Sequence, residues 1–231
     1  MRQLPDNCVD AIIADPPYGT TNIGWDKSID WSAFWREAHR IAACDTAPIV
    51  LFSAQPFTTD LIISNRECFR YEIIWEKTIA AGYLDASRRP LKAHENILVF
   101  SKKFKQSTYN PQKVKGKPYI TKRGRAAPHY ASVETVWTEN KGDRYPRSVL
   151  HYPTAQKQGH PTSKPLELIK WLVNTYTNEN AIVLDPFMGS GTTAVACIET
   201  QRRYIGVEKL PKYVDLAKCR ITSISSKTGK Q

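Results

Sequence analysis

Two short apolar runs in this chain each stop abruptly at an Asp-Pro step. Val9-Asp10-Ala11-Ile12-Ile13-Ala14 ends at Asp15-Pro16-Pro17-Tyr18-Gly19, and Ala181-Ile182-Val183-Leu184 ends at Asp185-Pro186, 170 residues later. A short apolar run closed by turn residues reads as a buried strand ending at a sheet edge. Prolines lack an N–H and restrict the residue before them, so both loops are expected to be stiff. The second loop continues Phe187-Met188-Gly189-Ser190-Gly191-Thr192-Thr193, then a small-residue helix (Ala194 to Glu199) and a strand (Tyr204 to Val207) closed by Glu208. Strand, glycine turn, helix and strand ending in an acid form a nucleotide-binding half-unit of an α/β fold.

The first loop holds a carboxylate (Asp15), a backbone carbonyl (Pro16) and an aromatic face (Tyr18) in fixed relation. Two acceptors and a stacking surface suit a planar ring with an exocyclic amine, such as a flipped nucleobase. A proline-rich turn that merely caps a strand fits the same residues. The second loop has no Lys before its Ser/Thr pair, as a phosphate-binding P-loop needs, and a single G-x-G where a nicotinamide site shows G-x-G-x-x-G. A packing turn, or a site for adenosine without a pyrophosphate (S-adenosylmethionine), fits what remains.

Between the loops, Asp30 is placed to cap a helix from Trp31 to about Ala43. Strands are expected at 47–53, 70–76 and 96–100, and a helix opening at Pro56. The length of 231 residues suits one α/β domain with an insertion. From Lys102 to His160 periodicity disappears. Lys102 to Arg147 carries twelve Lys or Arg against Glu134, Glu139 and Asp143, a net +9 of the chain's +11. Aromatics are interleaved with these cations, which suits a nucleic-acid surface; a solvated insertion is the plainer reading. Regular structure resumes at His160-Pro161-Thr162-Ser163-Lys164-Pro165, where Ser163 can cap a helix through Val173. The five cysteines are scattered, so neither a disulfide framework nor a metal site is indicated. Nothing resembles a secretory signal or a membrane span, and a cytoplasmic location is the default.

Taken together, Asp15-Pro16-Pro17-Tyr18, the Asp185–Thr193 loop and the 160–165 segment resemble the signature motifs of the DNA amino-methyltransferases. The catalytic motif comes first and the cofactor motif last, which is similar to the circularly permuted beta group. Trp75-Glu76-Lys77-Thr78 and His94-Glu95-Asn96-Ile97-Leu98-Val99-Phe100 resemble that group's core strands. The resemblance covers nearly the whole chain. It implies a methyltransferase fold, a mostly parallel seven-stranded-type sheet with one antiparallel strand. Residues 1–101 would form the catalytic half, 102–159 the target-recognition insertion, 160–222 the cofactor half and 223–231 a polar tail.

On this resemblance Asp15, Pro16, Pro17 and Tyr18 are catalytic. Thr162, Lys164, Asp185, Pro186, Phe187, Gly189, Ser190, Gly191, Thr192 and Glu208 line a site for S-adenosylmethionine. Double-stranded DNA is the implied partner, and the motif leans toward the N6 amine of adenine over the N4 amine of cytosine. A catalytically weak DNA-binding relative, or an enzyme acting on RNA or a protein amide, stays open. Methylation of a ring carbon needs a nucleophile, typically Cys after Pro, and the chain has no such step. The group usually carries a further strand and a Gly-Asp step upstream of the segment Leu4-Pro5-Asp6. With Met1 three residues before Leu4, that edge strand is expected to be missing, and completion by a homodimer partner stays open. The sequence identifies no recognition site and no companion restriction enzyme.

Overall fold

The computed structural model describes residues 1–19, 29–123, 136–154 and 163–228. In chain order the first half forms β1 (Ala11–Ala14), α1 (Trp31–Ile41), β2 (Ile49–Ser53), α2 (Phe57–Ser64), β3 (Phe69–Ala81) and β4 (Lys92–Phe100). Four short strands follow: β5 (Val114–Lys115), β6 (Tyr119–Arg123), β7 (Val136–Asn140) and β8 (Asp143–Arg144). The last part forms β9 (Val149–Tyr152), α3 (Leu166–Tyr176), β10 (Ile182–Asp185), α4 (Thr192–Glu199), β11 (Arg203–Gly206) and α5 (Pro211–Thr228). Among the described residues no helix is long and apolar enough to cross a membrane.

Seven strands build one sheet in the order β11-β10-β1-β2-β4-β3-β9. β4 runs antiparallel to both β2 and β3, and the other pairings are parallel. The expected single antiparallel strand is therefore present. The central strands are apolar throughout because helices cover both faces. On one face Ile13, Val50, Phe52, Val99 and Val183 pack against Leu168, Leu172 and Val173 of α3 and Ala196 of α4. On the other, Ile12, Leu51, Leu98 and Leu184 pack against Phe34, Trp35 and Ile41 of α1 and Leu61 of α2. Successive residues of one strand thus feed opposite layers, as the period of two dictates.

Some expectations need correction. Val149–Tyr152 lies in the stretch where periodicity is lost, yet it pairs parallel with β3 from Ile74 to Lys77 and supplies the seventh strand. Four residues are too few for alternation to show, and only Leu150 is buried. Beside β11 no further strand is found among the described residues. Ser163 does not cap α3: Pro165 holds the N-cap position, and the Ser163 hydroxyl bonds the Ser190 hydroxyl at 3.0 Å. α5 continues to Thr228, into the polar 223–231 segment. Ser223 there donates its hydroxyl back to Cys219 O at 2.9 Å.

The chain divides into two compact units, Pro111–Arg147 and the remainder. The smaller is shorter than the expected 102–159 insertion because the residues before Pro111 pack onto the larger. Asn110 donates its backbone N–H to Thr175 O at 2.7 Å, and Phe104 meets Tyr71 edge-on at 5.8 Å. Within the smaller unit β6 pairs with β7 and β5 with β8, both antiparallel.

Candidate active site

β10 and β1 run parallel, and the direction in which successive strands are added reverses between them. From β10 the chain passes through α4 to β11 on one side, and from β1 through α1 to β2 on the other. The crevice outside the carboxyl ends of two such strands is where open α/β sheets bind ligands. Ile12 pairs with Leu184, so the Asp15 and Asp185 loops leave the sheet side by side.

Asp15 follows β1 directly. Its Oδ1 accepts from the Tyr18 hydroxyl at 2.9 Å and its Oδ2 from Lys164 Nζ at 2.5 Å. Tyr18 stacks on Phe57 at 5.0 Å between ring centroids. Pro16 is buried, Pro17 half-buried, and the Pro16 carbonyl takes no hydrogen bond among the described residues. Burial pushes the Asp15 carboxyl above its ordinary value, and the Lys164 ammonium opposes that rise. Lys164 itself lies 3.4 Å from Glu95 Oε2 and over the Phe52 ring at 5.1 Å. The structure thus sets Lys164, expected at the cofactor, against the Asp15 carboxylate.

The second loop is folded around two other carboxylates. Asp185 Oδ1 accepts from Phe187 N at 3.0 Å and Oδ2 from the Thr193 hydroxyl at 2.6 Å. Burial pushes Asp185 up to about 7. Glu208 Oε2 accepts from Gly189 N at 2.9 Å and Oε1 from Leu210 N at 2.8 Å, which ties the turn to the end of β11. Gly191 has φ +80°, and a Cβ there would sit 2.8 Å from Ala217 Cβ, so only glycine fits without strain. Phe187 stacks on Phe34 at 6.3 Å. Pro186 is half-buried, while Ser190 and Thr192 are buried. Thr162 lies outside the described residues.

Four contributors are not marked out by the sequence. Arg220 of α5 donates to Ser190 O at 2.7 Å, Ser190 Oγ at 2.9 Å and Thr192 Oγ1 at 3.2 Å. Phe57 backs Tyr18, and Glu95 with its partner Lys77 backs Lys164. Glu95 stands inside the quoted 94–100 strand, but nothing local marks its side chain as facing Lys164.

The family model for DNA methylases that act on N6 or N4 amines matches residues 9–219. The type II methyltransferase M.HpaI of Haemophilus parainfluenzae is 28% identical over 232 residues, covering 96% of this chain and 71% of that protein. The DNA adenine methyltransferase YhdJ of Escherichia coli (strain K12) is 27% identical over 237 residues, covering 96% and 79%. The crystal structure of the M1.HpyAVI–SAM complex superposes with a TM-score of 0.62 at 28% identity, covering 93% of this chain and 90% of that one.

Proposed function

The chain belongs to the N6/N4 DNA methylase family, and from that membership we propose that it transfers a methyl group from S-adenosylmethionine to the N6 amine of adenine in double-stranded DNA. The observation that carries this reading is that the Asp15 and Asp185 loops leave two paired parallel strands at the point where the order of strand addition reverses.

The residues present fit that cofactor. Asp185 and Glu208 flank the glycine turn, and two carboxylates suit a cationic adenosine with a ribose diol better than a pyrophosphate. Each Glu208 oxygen holds one backbone amide and keeps a second acceptor site for a hydroxyl. Thr162, Asp185, Pro186, Phe187, Gly189, Ser190, Gly191, Thr192 and Glu208 would hold the cofactor, with Lys164 at the border of the catalytic loop. When bound, it supplies an electrophilic methyl group on a sulfonium.

An exocyclic amine is a poor nucleophile because its lone pair is delocalised into the ring. Asp15 and the Pro16 carbonyl accept its two hydrogens, which favours a pyramidal nitrogen with its lone pair directed at the methyl carbon. Asp15 also stabilises the positive charge that grows on the nitrogen. Tyr18, braced by Phe57, would stack on the flipped base. Positioning for in-line displacement supplies much of the rate.

The unit Pro111–Arg147 supplies the duplex contact in this reading. Lys113 lies over Tyr145 at 4.8 Å, Lys122 over Trp137 at 5.3 Å and Arg144 over Tyr119 at 4.4 Å. Cations braced on exposed rings suit phosphate binding. The adenine choice is supported by the Asp-Pro-Pro-Tyr form of the loop and by the similarity to an adenine enzyme. The test is nucleoside mass spectrometry of DNA from cells expressing the chain, beside an Asp15→Ala control. N6-methyladenine absent from the control is the expected result; N4-methylcytosine would overturn the choice of base, and no modified base the reaction.

A further inference from the structure

Behind the catalytic loop sits an atom that methyl transfer as described leaves idle. Glu95 Oε2 is buried and has no hydrogen-bond partner among the described residues. A buried carboxylate oxygen without a donor is costly, so its persistence points to a state in which it has one. Lys77 holds the other oxygen, Oε1, and so fixes the direction in which Oε2 points. The donor within reach is Lys164 Nζ, 3.4 Å away, which in this structure donates to Asp15 Oδ2 at 2.5 Å. Both side chains are nearly enclosed, with 10% of Lys164 and 13% of Glu95 exposed.

Asp15 has the complementary problem. Both its oxygens already accept, one from Tyr18 and one from Lys164. An ammonium held on Asp15 also opposes the positive charge that must grow on the target amine. Moving Nζ from 3.4 Å to a charge-assisted distance of about 2.8 Å from Glu95 is a shift of well under one ångström. It takes place over the Phe52 ring, which keeps the ammonium stabilised on the way.

We propose that Glu95 is a positioning residue: it draws Lys164 off Asp15 as the target amine enters, leaving Asp15 Oδ2 to accept from the amine. The inference rests on the methyl-transfer reading. Among the described residues, Lys77, Lys92, Lys164 and Asp15 are the charged groups that act with Glu95, and Tyr18 and Asp185 are the other groups that act with Asp15. Glu95 pushes Asp15 up and Lys164 pulls it down, so the two substitutions move the acid limb of activity in opposite directions.

The experiment measures single-turnover transfer to an adenine-containing duplex against pH, with cofactor and duplex dissociation constants, for Glu95→Gln, Lys164→Met and the double variant. Glu95→Gln is expected to lower the plateau about ten- to a hundredfold, the worth of one hydrogen bond to a charged group. Its acid limb moves to lower pH and both dissociation constants stay as in the wild type. Lys164→Met moves the acid limb to higher pH. The double variant has a higher plateau than Glu95→Gln alone, because no cation is left on Asp15. A full plateau in Glu95→Gln overturns the proposal. So does a drop matched by weaker cofactor affinity, or a double loss equal to the product of the single losses. If the wild type methylates no duplex, the functional reading fails by itself. The carboxyl ¹³C titration of Asp15 then decides the coupling: Glu95→Gln must lower its midpoint, and an unchanged midpoint overturns the cluster too.

Discussion

Asp185→Asn separates stability from ligand binding in one substitution. The folded chain holds Asp185 at about 7 where the ordinary value is 3.8, and burial is the main cause. A raised carboxylate means that the folded state binds the proton more tightly than the unfolded chain. The contribution of Asp185 to stability is therefore fully present below about pH 4 and is lost as pH rises to about 7. At about 1.36 kcal/mol per unit, the cost accumulated between pH 5 and pH 8 is about 3 kcal/mol. Asn has no ionised form and carries no such cost, while its oxygen still accepts from Phe187 N. Other groups titrate over the same range, so the quantity to follow is the difference between variant and wild type at each pH. In calorimetric melts of the ligand-free chain, the Asn variant is expected to gain on the wild type by about 3 kcal/mol over that range. For a chain of this size that is roughly 6–12 °C of relative Tm. Parallel curves would show that Asp185 ionises in the folded state at little cost, and the electrostatic account of the loop would fall.

The same carboxyl makes cofactor binding pH-dependent: if the cationic ligand prefers ionised Asp185, the apparent Kd for S-adenosylmethionine improves about tenfold between pH 6 and pH 8 by titration calorimetry. A flat profile counts against contact with that residue. Asp15→Ala should reduce transfer by at least about a hundredfold while leaving cofactor Kd within a fewfold, since on the function proposed Asp15 acts on the amine. Equal loss of both would reassign it. Gly191→Ala imposes φ +80° on an L residue and a 2.8 Å approach to Ala217. A destabilisation of about 2–4 kcal/mol, read in urea melts, is expected from backbone strain plus overpacking. Replacing Lys113, Lys122 and Arg144 together should flatten the salt dependence of duplex binding by about 0.9 in log–log slope for each phosphate no longer neutralised. An unchanged slope would remove the smaller unit from the interface.

What is legible in the sequence is local. Asp15 and Asp185 announce themselves because each closes an apolar run and precedes a proline, and Gly191 because a glycine turn opens a helix. The Lys164–Asp15 bond joins positions 149 apart and Arg220–Ser190 positions 30 apart. No periodicity encodes such contacts, for they depend on which strands become neighbours. Position in the chain points Lys164 at the cofactor, because it lies in the segment that precedes the cofactor loop, yet strand order brings that segment over β1 as well. β9 is hidden for another reason: four residues with one buried side chain carry no alternation.

The distribution of charge explains why one chain needs both a carboxylate-rich crevice and a basic unit. Asp15 follows β1, Asp185 ends β10, Glu208 follows β11, and Glu95 of the antiparallel β4 meets Asp15 through Lys164, which pairs with both, while Lys77 holds Glu95. Asp15 and Glu208 each push Asp185 further up, so the carboxylates repel one another. A cationic methyl donor relieves that repulsion, and so does the charge that grows on an amine under attack. A phosphate would aggravate it. On the function proposed, the DNA backbone would stay outside that crevice, and its phosphates would suit the basic stretch from Lys102 to Arg147, with its net charge of +9. The neutral base alone suits the carboxylates. On the function proposed, extruding that base is what separates the two requirements, because a nucleotide left in the duplex would bring its phosphates with it.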